Sequence, residues 1–349
     1  MVPRASEHDQ LGLFGDEPVT EAGAGAGRAT ARGDVEPAPA SAEISELAAR
    51  LPESIRLGTS SWSFSGWAGI VYKGKYAQSA LAKDGLAAYA QHPLLRAVGI
   101  DRTFYAPISA QDFAAYAAVV PEGFRFLVKA HESCTMARYP MNPRYGKRKG
   151  QPNELFLNAA YAAEQVVWPF LDGLGDKAGP LVFQLPPQGL EDLGGAAGFP
   201  EKLHRFLAAL PKGPHYAVEI RNKELLTEAY AQCLASVGTS HCITIHPKMP
   251  DAERQWLVTG GDPRAPGLVV RWMLSLGMTH ETAADAFAPF DEIAAPDDES
   301  RDALVDLALR ADEMGHESLI VVNNKAEGSA PLSVVRLAQA IDGRIRDFG

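Results

Sequence analysis

Cysteine is scarce: Cys134, Cys233 and Cys242 are the only three in 349 residues. They form no CxxC pair and are odd in number, which argues against a disulfide framework or a cysteine zinc site and fits a reducing, cytoplasmic setting. Long apolar runs are also missing. None approaches the ~20 residues that a membrane-spanning helix needs, and the N-terminus lacks a basic-then-apolar signal pattern, so no membrane partner is expected. Basic residues are not in excess. The net charge of -10 argues against a wholly basic nucleic-acid coat and leaves local patches open. No HExxH or carboxylate-rich metal motif occurs, so the cofactor is unknown: a divalent metal stays open, and no motif indicates one.

Aromatic residues are nearly absent from the first fifty positions, which are rich in Ala, Gly, Pro and Glu. Such a segment cannot bury enough surface to offset its ordering entropy, so residues 1–50 read as a disordered tail, with a short helix over 43–51. Within it Gln10-Leu11-Gly12-Leu13-Phe14 clusters three large apolar side chains, an exposed anchor suited to a partner's groove. The remaining residues, 51–349, have ordinary globular composition.

From Ile55 onward strands alternate with helices. Strands are expected at Ile55–Ser60, Ala97–Thr103, Arg125–Ala130, Leu181–Leu185, Tyr216–Ile220, Cys242–Ile245, Leu268–Trp272 and Leu319–Asn323. Helical patterns lie at Ser79–Arg96, Ala110–Val119, Glu154–Leu174, Pro200–Leu210, Glu224–Val237, Asp251–Val258, Asp302–Met314 and Leu332–Ile341. Pro200 opens one helix, and Gly238 and Gly315 follow the ends of two others. Eight βα units predict a single (β/α)8 TIM-type barrel, an α/β fold. The doubly wound alternative wants a Gly-rich phosphate turn after its first strand, and GTSSWS is not GxGxxG.

The fifth strand shows what the barrel is for. In HYAVEIRN, Val218 and Ile220 share one face while Ala217, Glu219 and Arg221 share the other. An acid and a base at the end of a buried strand are how a barrel delivers side chains to its C-terminal rim. The other strands end similarly: in Thr59 to Trp62; in Asp101, Thr103 and Tyr105; in Lys129 and His131; in Gln184; in His246; in Arg271; and in Asn323-Asn324-Lys325. Unpaired buried charge is costly, so these groups must share a lumen or do chemistry. Glu219–Arg221, Asp101–Arg271 and Asp101–Lys129 could serve as internal ion pairs, and His131 and His246 as ordinary hydrogen-bonded histidines. Trp62 and Trp67 are wall or stacking platform, and Cys134 reads as inert.

Two loops stand out. After the third strand Arg138, Arg144, Lys147, Arg148 and Lys149 gather with Tyr139 and Tyr145 and no intervening acid, a patch suited to an anion or merely solvated. After the seventh, Leu274 to Ser300 is an acidic stretch of a length that goes with a functional lid or with disorder.

LGTSSWSFSGW, DRTFYAP, FRFLVKAHE, LVFQLPP, YAVEIRN and VVNNKAEGSAPLSVVRL, in this order, resemble the YecE-like family, domain of unknown function 72, over about residues 55–341. The resemblance implies a TIM-type barrel and no settled reaction. Where the family commonly has Asn-Ser-Thr-Phe-Tyr, this chain has Asp101 to Tyr105, and 271–301 departs from the more usual arginine-rich region. Separately, Gln10, Leu11, Leu13 and Phe14 resemble the pentapeptide by which bacterial replication and repair proteins bind the sliding clamp; there the Gln amide fills one subsite and the last Leu and Phe an apolar pocket.

Three functions compete. The first is an enzyme on a phosphorylated or nucleic-acid substrate, with Glu219, Asp101, His131 and His246 as acids, bases or metal ligands. Trp62, Tyr105, Lys129, Gln184, Arg221, Arg271, Asn323 and Asn324 would then bind substrate. The second is a carbohydrate-active enzyme using Asp101 and Glu219 as a carboxylate pair. The third is a non-catalytic ligand-binding barrel.

Overall fold

The computed structural model describes residues 35–260 and 265–348. The pentapeptide at positions 10–14 lies outside them. Eight parallel strands close in chain order into a barrel: β1 Ile55–Thr59, β2 Ala97–Ile100, β3 Arg125–Lys129, β4 Ala178–Leu185, β5 Tyr216–Ile220, β6 Ser240–Ile245, β7 Gly267–Trp272 and β8 Glu317–Val322. β8 returns to β1 with Thr59 opposite Val322. The glycine of GTSSWS serves this closure. A Cβ on Gly58 would stand 1.9 Å from the Ala97 carbonyl oxygen of β2, so only glycine lets the two strands approach.

The period-two pattern sorts side chains into two cores. Val218 and Ile220 point outward into the large cluster between strands and helices. Ala97, Leu127, Val182, Ala217, Cys242, Val269, Leu319 and Val321 pack inside the barrel. Two positions beyond these, toward the C-terminal ends of their strands, stand Lys129, Gln184, Glu219, Thr244 and Arg271, all buried. The apolar plug therefore forms a floor, and a polar layer lies on it.

Several elements differ from expectation. β2 stops at Ile100, and Arg102–Phe104 forms a 3-10 turn, so Asp101, Thr103 and Tyr105 do not share a strand face. The Thr103 hydroxyl ties that turn to the strand ends, lying 2.9 Å from the Ile100 carbonyl and 2.7 Å from the Lys129 carbonyl. The long helix after β1 is two short ones, Gln78–Asp84 and Leu86–Tyr89. The segment after β7 contains a helix, His280–Phe287, capped by Thr279. The helix Ala42–Arg50, drawn on the tail side of residue 50, packs on the barrel: Leu47 and Ala48 are buried, and Arg50 grips Asp342 at 2.9 and 3.0 Å. The helix expected over Asp251–Val258 is present at Ala252–Thr259. No described helix is long and apolar enough to cross a membrane.

Candidate functional site: the C-terminal mouth of the barrel

Arg271 sits at the centre of the polar layer and is 1% exposed. Its Nη2 donates to both oxygens of Asp101, at 3.0 and 2.9 Å. Its Nη1 donates to Glu219 Oε2 at 2.7 Å and Gln184 Oε1 at 2.8 Å. The other Glu219 oxygen, Oε1, accepts from Arg221 Nε at 2.6 Å and also pairs with Arg221 Nη2. Burial alone would push the Glu219 carboxyl up, but the charges of Arg221 and Arg271 outweigh it and hold its pKa at about 2. Burial likewise opposes the Arg271 charge, and Asp101 and Glu219 more than reverse that. Both carboxylates are thus held by one guanidinium, which leaves Glu219 ionised and without a free oxygen.

Lys129 is different. Its Nζ lies 4.0 Å from Asp101 Oδ1 and 4.3 Å above the centre of the Phe104 ring. Among the described residues its ammonium has no hydrogen-bond acceptor, although the side chain is almost wholly buried. Burial lowers its pKa to about 8; Asp101 opposes the shift and Arg271 adds to it. The ion pairs considered from the sequence, Glu219–Arg221, Asp101–Arg271 and Asp101–Lys129, are all formed.

The two sequence-selected histidines part company. His131 is half-buried and opens the loop after β3. Its Nδ1 meets the Tyr161 hydroxyl at 2.9 Å and accepts from Ser133 N at 3.4 Å. Burial lowers it to about 4 against a hydrogen bond to the Tyr105 backbone. His246 is buried, and its Nδ1 accepts from Lys248 N at 3.2 Å. Burial, Arg221 and His280 lower it to about 2. His280 was not singled out in the sequence, because it lies in a stretch read as an acidic loop. It is the first residue of the helix His280–Phe287, 8% exposed, with its ring centre 6.0 Å from that of His246.

Other selected residues are walls and struts. Trp62 is buried, donates to the Leu81 carbonyl at 3.1 Å and meets the Tyr116 ring edge-on. Asn323 donates to Ser60 Oγ at 2.9 Å and caps the turn that follows β8. Asn324 Oδ1 accepts from Trp67 Nε1 at 3.1 Å and Ala330 N at 2.8 Å. Tyr105 is half-buried under the Arg144 guanidinium. The basic loop is less free than its sequence suggests. Arg138 bonds Asp192 at 2.9 Å, Arg144 pairs with Glu132, and Arg148 lies over Tyr139. Tyr145 also donates to Glu132, at 3.0 Å. Glu132 at the start of the same loop and Asp192 from the far side of β4 thus answer the patch. Cys134 is buried, and burial raises its thiol to about 12. Among the described residues no group of three His, Cys, Asp or Glu side chains is placed to hold a metal ion.

A closed eight-stranded parallel α/β barrel with an ion network at its C-terminal mouth is the class that fold and site define. The chain belongs to the family described as "Protein of unknown function DUF72", whose model matches residues 56–347. Among solved structures it is similar to a DUF72 family protein of Thermotoga maritima MSB8, with 17% identity and a TM-score of 0.52, over 84% of this chain and 99% of that one. It is also similar to a DUF72 family protein of Enterococcus faecalis V583, with 19% identity and a TM-score of 0.51, over 82% of this chain and 95% of that one. At such identities the likeness shows the fold alone. No curated protein matches.

Proposed function

We propose that the mouth binds and acts on a phosphorylated ligand, either small or carried by a nucleic acid. Lys129 is the group that meets the anion and moves protons. The observation that carries this reading is the Lys129 ammonium: it is buried in the lumen yet lacks a hydrogen-bond acceptor among the described residues. The polar layer sets three cations, Lys129, Arg221 and Arg271, against the two carboxylates Asp101 and Glu219. An anion entering there meets uncompensated positive charge in a low-dielectric site, where attraction is strongest. A lysine lowered to about 8 also suits general acid–base work near neutral pH. Asp101 and Glu219, both gripped by Arg271, act as braces; a glycosidase pair would need a freer carboxyl.

The test is calorimetric titration with a panel of phosphorylated compounds. Lys129→Met should weaken binding by about tenfold or more, the worth of a charge-assisted hydrogen bond. Lys129→Arg should keep part of the affinity and lose any pH dependence near 8. Equal binding by wild type and Lys129→Met would remove the basis for the assignment.

The tail extends the proposal to a partner. The pentapeptide Gln10-Leu11-Gly12-Leu13-Phe14 is offered as an anchor for a bacterial sliding clamp, which would place the barrel in DNA replication or repair. Its sequence is the support.

A further inference from the structure

His246 and His280 come from different elements, the loop after β6 and the helix after β7, and their rings meet at the mouth. The groups facing them are Glu219 and Arg221 at the end of β5, Lys129 of β3, Arg271 of β7, Lys248 and Lys325. Burial comes first, and with these cations it keeps both imidazoles neutral at pH 7. A neutral imidazole carries one N–H and one bare nitrogen. His246 Nδ1 accepts the Lys248 amide, so its proton is on Nε2. Both His280 ring nitrogens are buried and have no partner among the described residues, so its N–H lacks an acceptor there. The Lys129 ammonium likewise has no acceptor within hydrogen-bond reach among the described residues, its Asp101 partner standing 4.0 Å away. The mouth is therefore rich in donors, and the complementary group is an oxyanion.

We propose that His246 and His280, with Arg221 and Lys129, form the subsite for a terminal phosphoryl group, the two imidazoles donating N–H bonds to its oxygens. This rests on the reading of the mouth as an anion site and specifies which anion. A phosphodiester offers two free oxygens and one charge. A terminal phosphate offers three oxygens and close to two charges. Donors held by four residues at one mouth match the latter. The same nitrogens would be poor metal ligands here, because Arg221, Lys129 and Lys325 crowd the pair with positive charge. The His280 nitrogens are shut off from solvent, so an oxygen reaches them only when the helix His280–Phe287 shifts. That helix rests on a small satellite cluster, Leu274, Ala283 and Phe287, separate from the main core, which makes local movement inexpensive.

The experiment titrates the full chain with inorganic phosphate while following the histidine side-chain nitrogens by NMR. A 5′-phosphorylated oligonucleotide, its unphosphorylated counterpart and a sugar phosphate form the other arms. Phosphate should move the His246 and His280 signals. His246→Phe and His280→Phe should each weaken phosphate binding by about tenfold. His246→Gln, whose amide restores a donor near Nε2, should bind within about threefold of wild type, separating donor loss from misfolding. Tighter binding of either the phosphorylated oligonucleotide or the sugar phosphate supports the subsite and identifies the ligand's source. Equal affinity for the two oligonucleotides, with the sugar phosphate binding no more tightly than inorganic phosphate, overturns it. Phosphate binding with the histidine signals unmoved overturns the subsite and leaves Lys129 as the anion contact. No phosphate binding by wild type overturns both.

Discussion

Glu219→Gln puts a number on the ion network. The folded pKa of about 2, against an ordinary 4.5, corresponds to about 3 kcal/mol of preference for the ionised form, at roughly 1.4 kcal/mol per pH unit. Because that pKa is depressed, the contribution is complete above the ordinary value and fades only as pH falls toward 2, so at pH 7 it is fully present. Glutamine resembles the neutral acid and also turns an N–H₂ toward Arg221 or Arg271, setting donor against donor. The expected loss is therefore about 3–5 kcal/mol, as for other broken buried pairs. For a domain of this size that is a fall in Tm of roughly 10 °C. Thermal melts at pH 7 measure it directly, and the gap should survive 1 M salt (on the order of a 3 Å screening length) because the pair is out of solvent. Glu219→Gln/Arg221→Met should recover part of the loss, since it removes one stranded guanidinium. A single variant melting within about 1 °C of wild type would show that the network does not brace the lumen.

Two further predictions concern acid and the tail. Burial holds His92, His215 and His241 at about 4, His280 at about 3 and His246 at about 2, all neutral in the fold. As pH falls below about 6.5 the unfolded chain takes up protons that the fold refuses, so stability should drop by on the order of 5 kcal/mol per pH unit once these groups titrate together. Circular dichroism should show cooperative unfolding near about pH 5; an unchanged melt between pH 7 and 4.5 contradicts the burial argument. A peptide spanning residues 7–18 should bind a bacterial sliding clamp at micromolar strength. Leu13→Ala or Phe14→Ala should each cost about 2 kcal/mol, over tenfold in affinity, and Gln10→Ala less. Fluorescence polarisation indifferent to Leu13 and Phe14 would end the clamp proposal.

The strand ends were legible because a lumen residue and a rim residue lie two apart on one strand: Leu127 and Lys129, Ala217 and Glu219, Val269 and Arg271. That local rule also made the pairs among Asp101, Lys129, Glu219, Arg221 and Arg271 foreseeable. It failed at Asp101, where the chain leaves β2 and turns, yet the side chain still reaches Arg271. Sequence did not show that one arginine would hold both carboxylates, since that depends on how strands 2, 5 and 7 face one another across a closed barrel. Nor did it show His280, whose only local mark is the Thr279 cap, or Glu132 answering Arg144. The arginine's double grip is a contact made by closure and the Glu132 pair one made by the folding of a single loop; no local periodicity encodes either.

The short bridge between Pro37 and Tyr72 fixes where the chain meets the barrel. Ala38 N bonds the Val71 carbonyl at 2.9 Å and Glu36 N the Tyr76 hydroxyl at 3.1 Å, while Tyr72 donates to the Trp62 carbonyl just beyond the end of β1. The first described residues therefore lie on the same side of the barrel as the ion network. About 20 residues separate Phe14 from that point, a tether of at most roughly 70 Å. If the pentapeptide seats on a clamp encircling DNA, the mouth is confined to a small volume beside the duplex, at an effective concentration on the order of millimolar. Under such tethering a DNA end need bind the mouth only weakly. Intrinsic affinity measured on the isolated barrel would then understate its occupancy, and severing the tail would abolish targeting without altering a single group in the lumen.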